Sequence, residues 1–285
     1  MKKIIEAVGD PSKLHEILEN YDQFAVIKIG GGLLDSNDES RSIAKDLAVL
    51  SDVGLYPTVV HGAGPQLDRA FTAAGLETPK IDGKRTTPKE GASELDDVTK
   101  SVGAELVDSV RALGADVDQI TWRSGVILGE LVDPEDLASV SSLEINPEPI
   151  AQSIFEKRIP IMASTGRQNS VSRASDEAGF IEQSVLNINA DTAATAIAVE
   201  LGVNKYISLT PTGAVLDSEG VRISELAAED ALEMIDSGHI HSGMVPKITE
   251  AIALIDKGIG SVAITSPNDL LTELFTDAGR GTIIK

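Results

Sequence analysis

The 285-residue chain has no cysteine, and aromatic residues make up only 3% of it. The first absence excludes a disulfide framework and thiolate metal sites, and it fits a reducing compartment. The second means that the core has to be assembled from Val, Ile, Leu and Ala, which suits a parallel sheet covered by Ala-rich helices. Hydrophobic residues reach 42%, enough for a sizeable core, and the length predicts one large α/β unit or two lobes. Positive charge is scarce as well: 24 Lys and Arg stand against 45 Asp and Glu, a formal net charge of −21. Such a surface repels nucleic acid and anionic lipid, so neither is an expected partner. Any anionic ligand has to be held by a local cluster of positive groups. No apolar run approaches the length of a bilayer span. The opening MKKIIEAVGD is too acidic, and its apolar part too short, for a signal or transit peptide, so the expectation is a cytoplasmic protein.

What the sequence does contain is a rhythm of apolar run, glycine turn and amphipathic stretch. Leu14, Ile17 and Leu18 at helical spacing predict a helical extension over residues 1–23, with Pro11 as a break. FAVIKI, YPTVV, IPIMAS, KYISL, SVAIT and GTIIK read as strands. Helices are predicted near Glu39 to Ser51, near Pro65 to Ala74 and over NDLLTELF. Strands alternating with helices predict an open, mostly parallel central sheet sandwiched by helices, with the loops at the strand ends on one side. Three stretches interrupt the rhythm. DQITWRSGVILGELVD reads as a β-hairpin, SVSSLEINPEP as a polar turn region, and TGRQNSVSRASDEAGFIEQ as a long polar loop or lid. A lobe boundary falls near Gly202 to Lys205, dividing the chain into 24–203 and 204–285.

Two strand-to-glycine turns, KIGGG at 28–32 and HGAG at 61–64, end on the same side of the expected sheet. Glycine lets backbone N–H groups approach a phosphate closely, and a following helix adds its positive end. The alternative is an ordinary flexible turn beside a solvated Lys28. LNINADTAATAIAVELG puts Asn187, Asn189 and Asp191 just ahead of an Ala-rich helix, as a plain N-cap or as a polar site floor. In SGMVPKITEAI, Pro246 suits the first turn of a helix, and Lys247 there opposes the helix dipole unless an anion shares the site. Arg85, in DGKRTT, has the planar fork that suits a carboxylate. The four histidines, at 15, 61, 239 and 241, lack any metal-binding spacing, so no metal site built from the protein is expected.

KIGGGLL, HGAGPQLD, GKRTT, LNINADTAATAIA, LTPTGAVLD, SGMVPKI and ELFTDAGRGTIIK stand in the order found in acetylglutamate kinases, of the amino acid kinase family. The chain resembles that family from about Phe24 onward. HGAGPQLD is most similar to the kinase portion of bifunctional acetylglutamate synthase/kinases. The resemblance implies the αβα amino acid kinase fold, with an N-lobe for the amino-acid substrate and a C-lobe for the nucleotide. It implies transfer of phosphate from ATP, accompanied by Mg2+, to the side-chain carboxylate of N-acetyl-L-glutamate, in arginine biosynthesis.

By matching position, the resemblance implies a γ-phosphoryl role for Lys28, a leaving-phosphate role for Lys247, and Asp191 holding both. Gly62, Ala63, Gly64, Arg85, Asn187 and Asn189 fall on the substrate side. Gly31, Gly32, Thr210, Thr212, Gly213, Gly243 and Met244 fall on the nucleotide side. The family also implies a homodimer or larger homo-oligomer, and L-arginine as an effector at Glu273 and Gly279, unless Glu273 is a solvated helix residue. Two positions depart from the pattern: Ala63 replaces a glycine, and Pro211 stands where relatives carry Asp. Other readings are a kinase of the same fold acting on another acceptor, and a non-catalytic amino-acid-binding subunit.

Overall fold

A computed structural model describes residues 25–81, 84–169, 185–240, 244–275 and 279–285. The expected helical extension over 1–23 and most of the long polar loop lie outside them. The described chain starts with β1 (Ala25–Ile29), whose five residues are all buried. Helix α1 (Gly31–Leu34) and helix α2 (Asn37–Asp52) follow, the latter opening at Ser36, whose hydroxyl accepts from the Glu39 N–H. That Ser-x-x-Glu pattern is a sequence signature of a helix start. Next come β2 (Thr58–His61), α3 (Gly64–Ala73), the short ribbon β3 (Lys80–Ile81) and β4 (Lys84–Arg85), α4 (Ala92–Arg111) and β5 (Val117–Ile120). The middle of the chain supplies β6 (Ile127–Leu131), β7 (Val140–Ile145), α5 (Glu148–Phe155), β8 (Ile159–Ala163), β9 (Thr165–Gln168), β10 (Val185–Asn187) and α6 (Ala190–Leu201). The remainder forms β11 (Lys205–Leu209), β12 (Glu225–Leu226), α7 (Ala228–Asp236), α8 (Met244–Asp256), β13 (Ser261–Thr265), α9 (Leu270–Phe275) and β14 (Thr282–Ile284).

Eight strands make the main sheet, in the order β12-β14-β13-β11-β1-β2-β8-β5. All neighbours run parallel except β13 with β14. The expected boundary near residue 204 therefore falls between β1 and β11, which pair directly at the centre of one continuous sheet. Alternation along β1 sends Ala25, Ile27 and Ile29 to a core shared with α2 and α4, through residues such as Ile43, Leu47 and Leu106. Val26 faces the opposite core, built from α5, α6 and α8. Lys28 has the same parity as Val26 and so points toward α6. Ala193, Ala194 and Ala198 give α6 a small-residue face against the sheet, and Gly202, at φ 61°, ends it in the left-handed conformation.

Two expectations are corrected. DQITWRSGVILGELVD is not a hairpin: β5 is the edge strand of the main sheet, while β6 belongs to a second sheet of order β10-β9-β6-β7. A 3-10 turn at Trp122–Ser124 and Gly125, at φ 69°, redirect the chain between them. The polar stretch SVSSLEINPEP contains β7, which pairs antiparallel with β6. Its strand face is exposed and polar, so composition imitates a turn. Among the described residues no helix is long and apolar enough to cross a membrane.

Candidate active site

β1 and β2 are parallel, so their C-terminal ends and the turns that follow emerge side by side. The Gly62 N–H donates to the Ile29 carbonyl at 3.0 Å, and the Gln66 side-chain amide donates to the Gly31 carbonyl at 3.1 Å. The approach is so close that a Cβ on Gly31 would lie 2.7 Å from the Gly64 nitrogen and 2.9 Å from that of Ala63. Helices α1 and α3 both begin here without a side-chain cap, which leaves their first N–H groups open to a ligand. Ala63 sits at φ −140°, outside the left-handed region that would call for glycine. Below the second turn His61 is buried, and burial pulls its pKa down to about 4. The neutral ring's Nδ1–H donates to the Gly62 carbonyl at 3.2 Å and steadies the turn.

The two turns form one wall of a cavity of about 280 Å³, with Lys28, Arg85, Asn187 and Asp191 also lining it. Lys28 is only 2% exposed, and its Nζ lies 2.5 Å from Asp191 Oδ1. The other oxygen of Asp191 faces Lys247 Nζ at 3.4 Å. One carboxylate thus sits between two ammonium groups that arrive from different elements, β1 and α8. Burial lowers the pKa of Lys28, and Asp191 opposes that shift. Burial would raise Asp191, but the two lysines together hold its carboxyl below the usual range. Two cations on one anion give the Lys28–Asp191–Lys247 triad itself an excess of positive charge, in a chain that is otherwise strongly acidic. Phosphate or carboxylate is what such a floor attracts.

Asn189 serves as the cap of α6: its side-chain oxygen accepts the N–H groups of Asp191 at 2.9 Å and Thr192 at 3.2 Å. The cap and the polar floor, alternatives in the sequence, are one arrangement, because the cap aims Asp191 at the lysines. Asn187 lies at the end of β10 and donates its amide to Thr87 Oγ1 at 2.7 Å. Arg85 has an 8% exposed side chain that pairs with Asp68 and donates to the Gly64 carbonyl at 3.1 Å. It therefore braces the second glycine turn as well as lining the cavity. Asp68 and Thr87 end the stretches HGAGPQLD and GKRTT, but the sequence alone assigns neither a role in the site.

Thr210, Thr212 and Gly213 follow β11, the strand beside β1, on the same side of the sheet. Thr210 Oγ1 accepts the Gly213 N–H at 3.1 Å, and Gly213 takes φ 71°. The turn is closed through that hydroxyl, and the exposed Pro211 needs no N–H in it. Met244 opens α8, which puts Lys247 in the first turn as expected, and Gly243 lies outside the described residues. Glu273 is buried, not solvated: its carboxylate accepts the Gly281 N–H and packs against Gly279. Among the described residues no group of three or more His, Asp and Glu is arranged to hold a metal ion.

Comparison with known proteins agrees with this geometry. The model of the amino acid kinase family matches residues 23–266. An acetylglutamate kinase of Xylella fastidiosa is 35% identical over 267 residues, covering 92% of this chain and 60% of that protein. The chain thus spans about three fifths of that relative's length. An acetylglutamate kinase of Cereibacter sphaeroides is 30% identical, with 91% of this chain and 87% of that protein covered. Among solved structures, smu.665 from Streptococcus mutans superposes with a TM-score of 0.74 at 28% identity, over 92% of this chain and 98% of that one. The N-acetylglutamate synthase of Neisseria gonorrhoeae complexed with coenzyme A and N-acetyl-glutamate reaches 0.77 at 21% identity, over 95% and 61%, a likeness of fold. By its sheet, its paired glycine turns and the match along most of its length, the chain belongs to the amino acid kinase family.

Proposed function

We propose that the protein phosphorylates the side-chain carboxylate of N-acetyl-L-glutamate with ATP, giving N-acetyl-L-glutamyl 5-phosphate in arginine biosynthesis. The observation that carries this reading is Asp191 held between Lys28 and Lys247 at the base of the cavity. ATP, accompanied by Mg2+, supplies the phosphoryl group. Two anions have to meet in line, and the acceptor carboxylate is already a nucleophile, so no general base is needed. The tasks left to the chain are positioning and fixed positive charge. A carboxylate oxygen forms the new bond to phosphorus as the bond to the nucleotide's leaving oxygen breaks. Lys28 stabilises charge on the phosphoryl group in transit, Lys247 charge on the leaving phosphate, and Asp191 keeps both ammonium groups aimed. Arg85, with Asn187 and the turn Gly62–Gly64, orients the substrate from the half of the sheet before residue 204. Gly31, Gly32 and the turn after β11 serve the nucleotide, whose lobe is 204–285.

Assaying ATP turnover over a panel of carboxylate acceptors tests the reading: N-acetyl-L-glutamate should be preferred, and a clear preference for another acceptor would replace the assignment. The proposal extends to a homodimer or larger homo-oligomer in the cytoplasm. Light scattering that gives only the 29.9 kDa monomer at working concentration would reject the assembly. It also extends to inhibition by L-arginine at Glu273 and Gly279, which requires the Glu273 carboxylate to exchange its bond to Gly281. Titrating activity with L-arginine, on the native protein and on Glu273→Ala, tests that part.

A further inference from the structure

A fourth ionisable group adjoins the Lys28–Asp191–Lys247 triad. Glu250 follows Lys247 by three residues on α8 and is half-buried. Its carboxylate accepts the Thr192 hydroxyl at 3.4 Å, and Thr192 is the residue after Asp191 on α6. The bond ties the helix that carries Lys247 to the helix that carries the carboxylate between the lysines. If Glu250 is ionised, two carboxylates balance two ammonium groups; if it is protonated, the floor keeps one positive charge.

We propose that Glu250 is a positioning residue that sets the charge of the phosphate site, taking a proton from solvent as a polyphosphate enters and returning it as the anion leaves. The proposal rests on the reading of this cavity as a phosphate site. An entering anion engages Lys28 and Lys247, which otherwise favour the ionised form of Glu250, and adds its own repulsion; both effects drive the carboxyl toward its protonated state. Burial first, then Asp191, push the Glu250 pKa up to about 7, with Lys28 and Lys247 opposing, so the group stands ready to change state near neutrality. The groups facing it are Asp191 and Thr192 from α6, Lys28 from β1 and Lys247 from its own helix. Tyr206 of β11 is buried beside the same cluster, and burial raises it further from titration. The acids of α7, which also packs on α8, are Glu229, Asp230, Glu233 and Asp236, and all four are exposed. β13 and β14, the other neighbours of α8, bring no charged side chain.

Calorimetric titration with Mg·ADP at pH 7, in two buffers of different ionisation enthalpy, counts the protons exchanged on binding. The wild-type protein should take up about half a proton more than Glu250→Gln, since a group with a pKa near 7 is half ionised there. Glutamine can still accept the Thr192 hydroxyl, so a purely structural tie between the helices would leave the count unchanged. Between pH 6 and 8 the wild-type Kd should weaken relative to that of the variant. Equal proton counts, or no uptake by the wild-type protein itself, would overturn the proposal whatever the variant does. Absence of Mg·ADP binding would overturn the phosphate-site reading and the proposal with it. Uptake without any acyl phosphate from N-acetyl-L-glutamate would sustain the proposal and remove the substrate assignment.

Discussion

Replacing Gly31 with alanine probes the junction on which the site is built. The added methyl would meet the Gly64 nitrogen at 2.7 Å, the Ala63 nitrogen at 2.9 Å and the Ala63 Cα at 3.0 Å. All three are backbone atoms, so no rotamer change relieves the contact. Restoring an ordinary separation requires the two turns to part by about 0.7 Å. Such a displacement opens the wall that orients both reactants, and a misplacement near 1 Å can lower the rate by roughly a hundredfold. Overpacking should also remove about 1–3 kcal/mol of stability. Gly32→Ala is the matched comparison, because its Cβ would meet nothing within 4 Å. Alanine in that helical position should hold or raise stability by up to about 1 kcal/mol. Steady-state kinetics with thermal melts on both variants decide the matter. Gly31→Ala with unchanged kcat and unchanged Tm would refute the claim that close approach of the two turns shapes the site.

Lys28→Ala and Lys247→Ala should each lower kcat by roughly hundreds to thousands, while Arg85→Ala mainly raises KM for the acetylated amino acid; steady-state kinetics separate the two effects. Asp191→Asn leaves Lys28 buried without its counter-ion and should reduce stability by about 3–5 kcal/mol, read from denaturant unfolding at pH 7. Asp46, on α2, has its pKa raised by burial to about 6, so its ionised form opposes folding. Below about pH 3 both states are largely protonated and Asp46→Asn should change little; the gain should grow through about pH 3–6 to about 1–2 kcal/mol, a figure reduced for partial exposure.

The parallel sheet was legible because β1, β2, β8, β11 and β13 are short β-branched or aliphatic runs bounded by glycine, proline or a cap. Both glycine turns and both lysines were legible too, since their chemistry is local: a lysine inside a buried strand and one in a helix's first turn each ask for an anion. β7 was hidden by its exposed serines and glutamate, which read as turn residues although the chain is extended there. The broken connection from β5 to β6 was hidden because Trp122, which looks like a strand residue, instead donates its indole N–H to Asp96 at 2.6 Å across the fold. Asp68, although it closes HGAGPQLD, has no role that the sequence assigns, and Glu250 resembles any solvated helix acid; only the packing of α3 under Arg85 and of α8 against α6 shows what they touch. The burial of Glu273 likewise depends on Gly279 and Gly281, just ahead of the C-terminal strand, packing against its carboxylate, a contact no local pattern records.

Hydroxamate trapping of the acyl phosphate, on wild-type and Lys28→Ala protein supplied with MgATP and N-acetyl-L-glutamate, tests the central claim most directly. Wild-type protein should form the hydroxamate in step with ADP release, and Lys28→Ala should form it at least about a hundredfold more slowly. ADP release without hydroxamate, or equal rates from the two proteins, would contradict a carboxylate phosphorylated between Lys28 and Lys247.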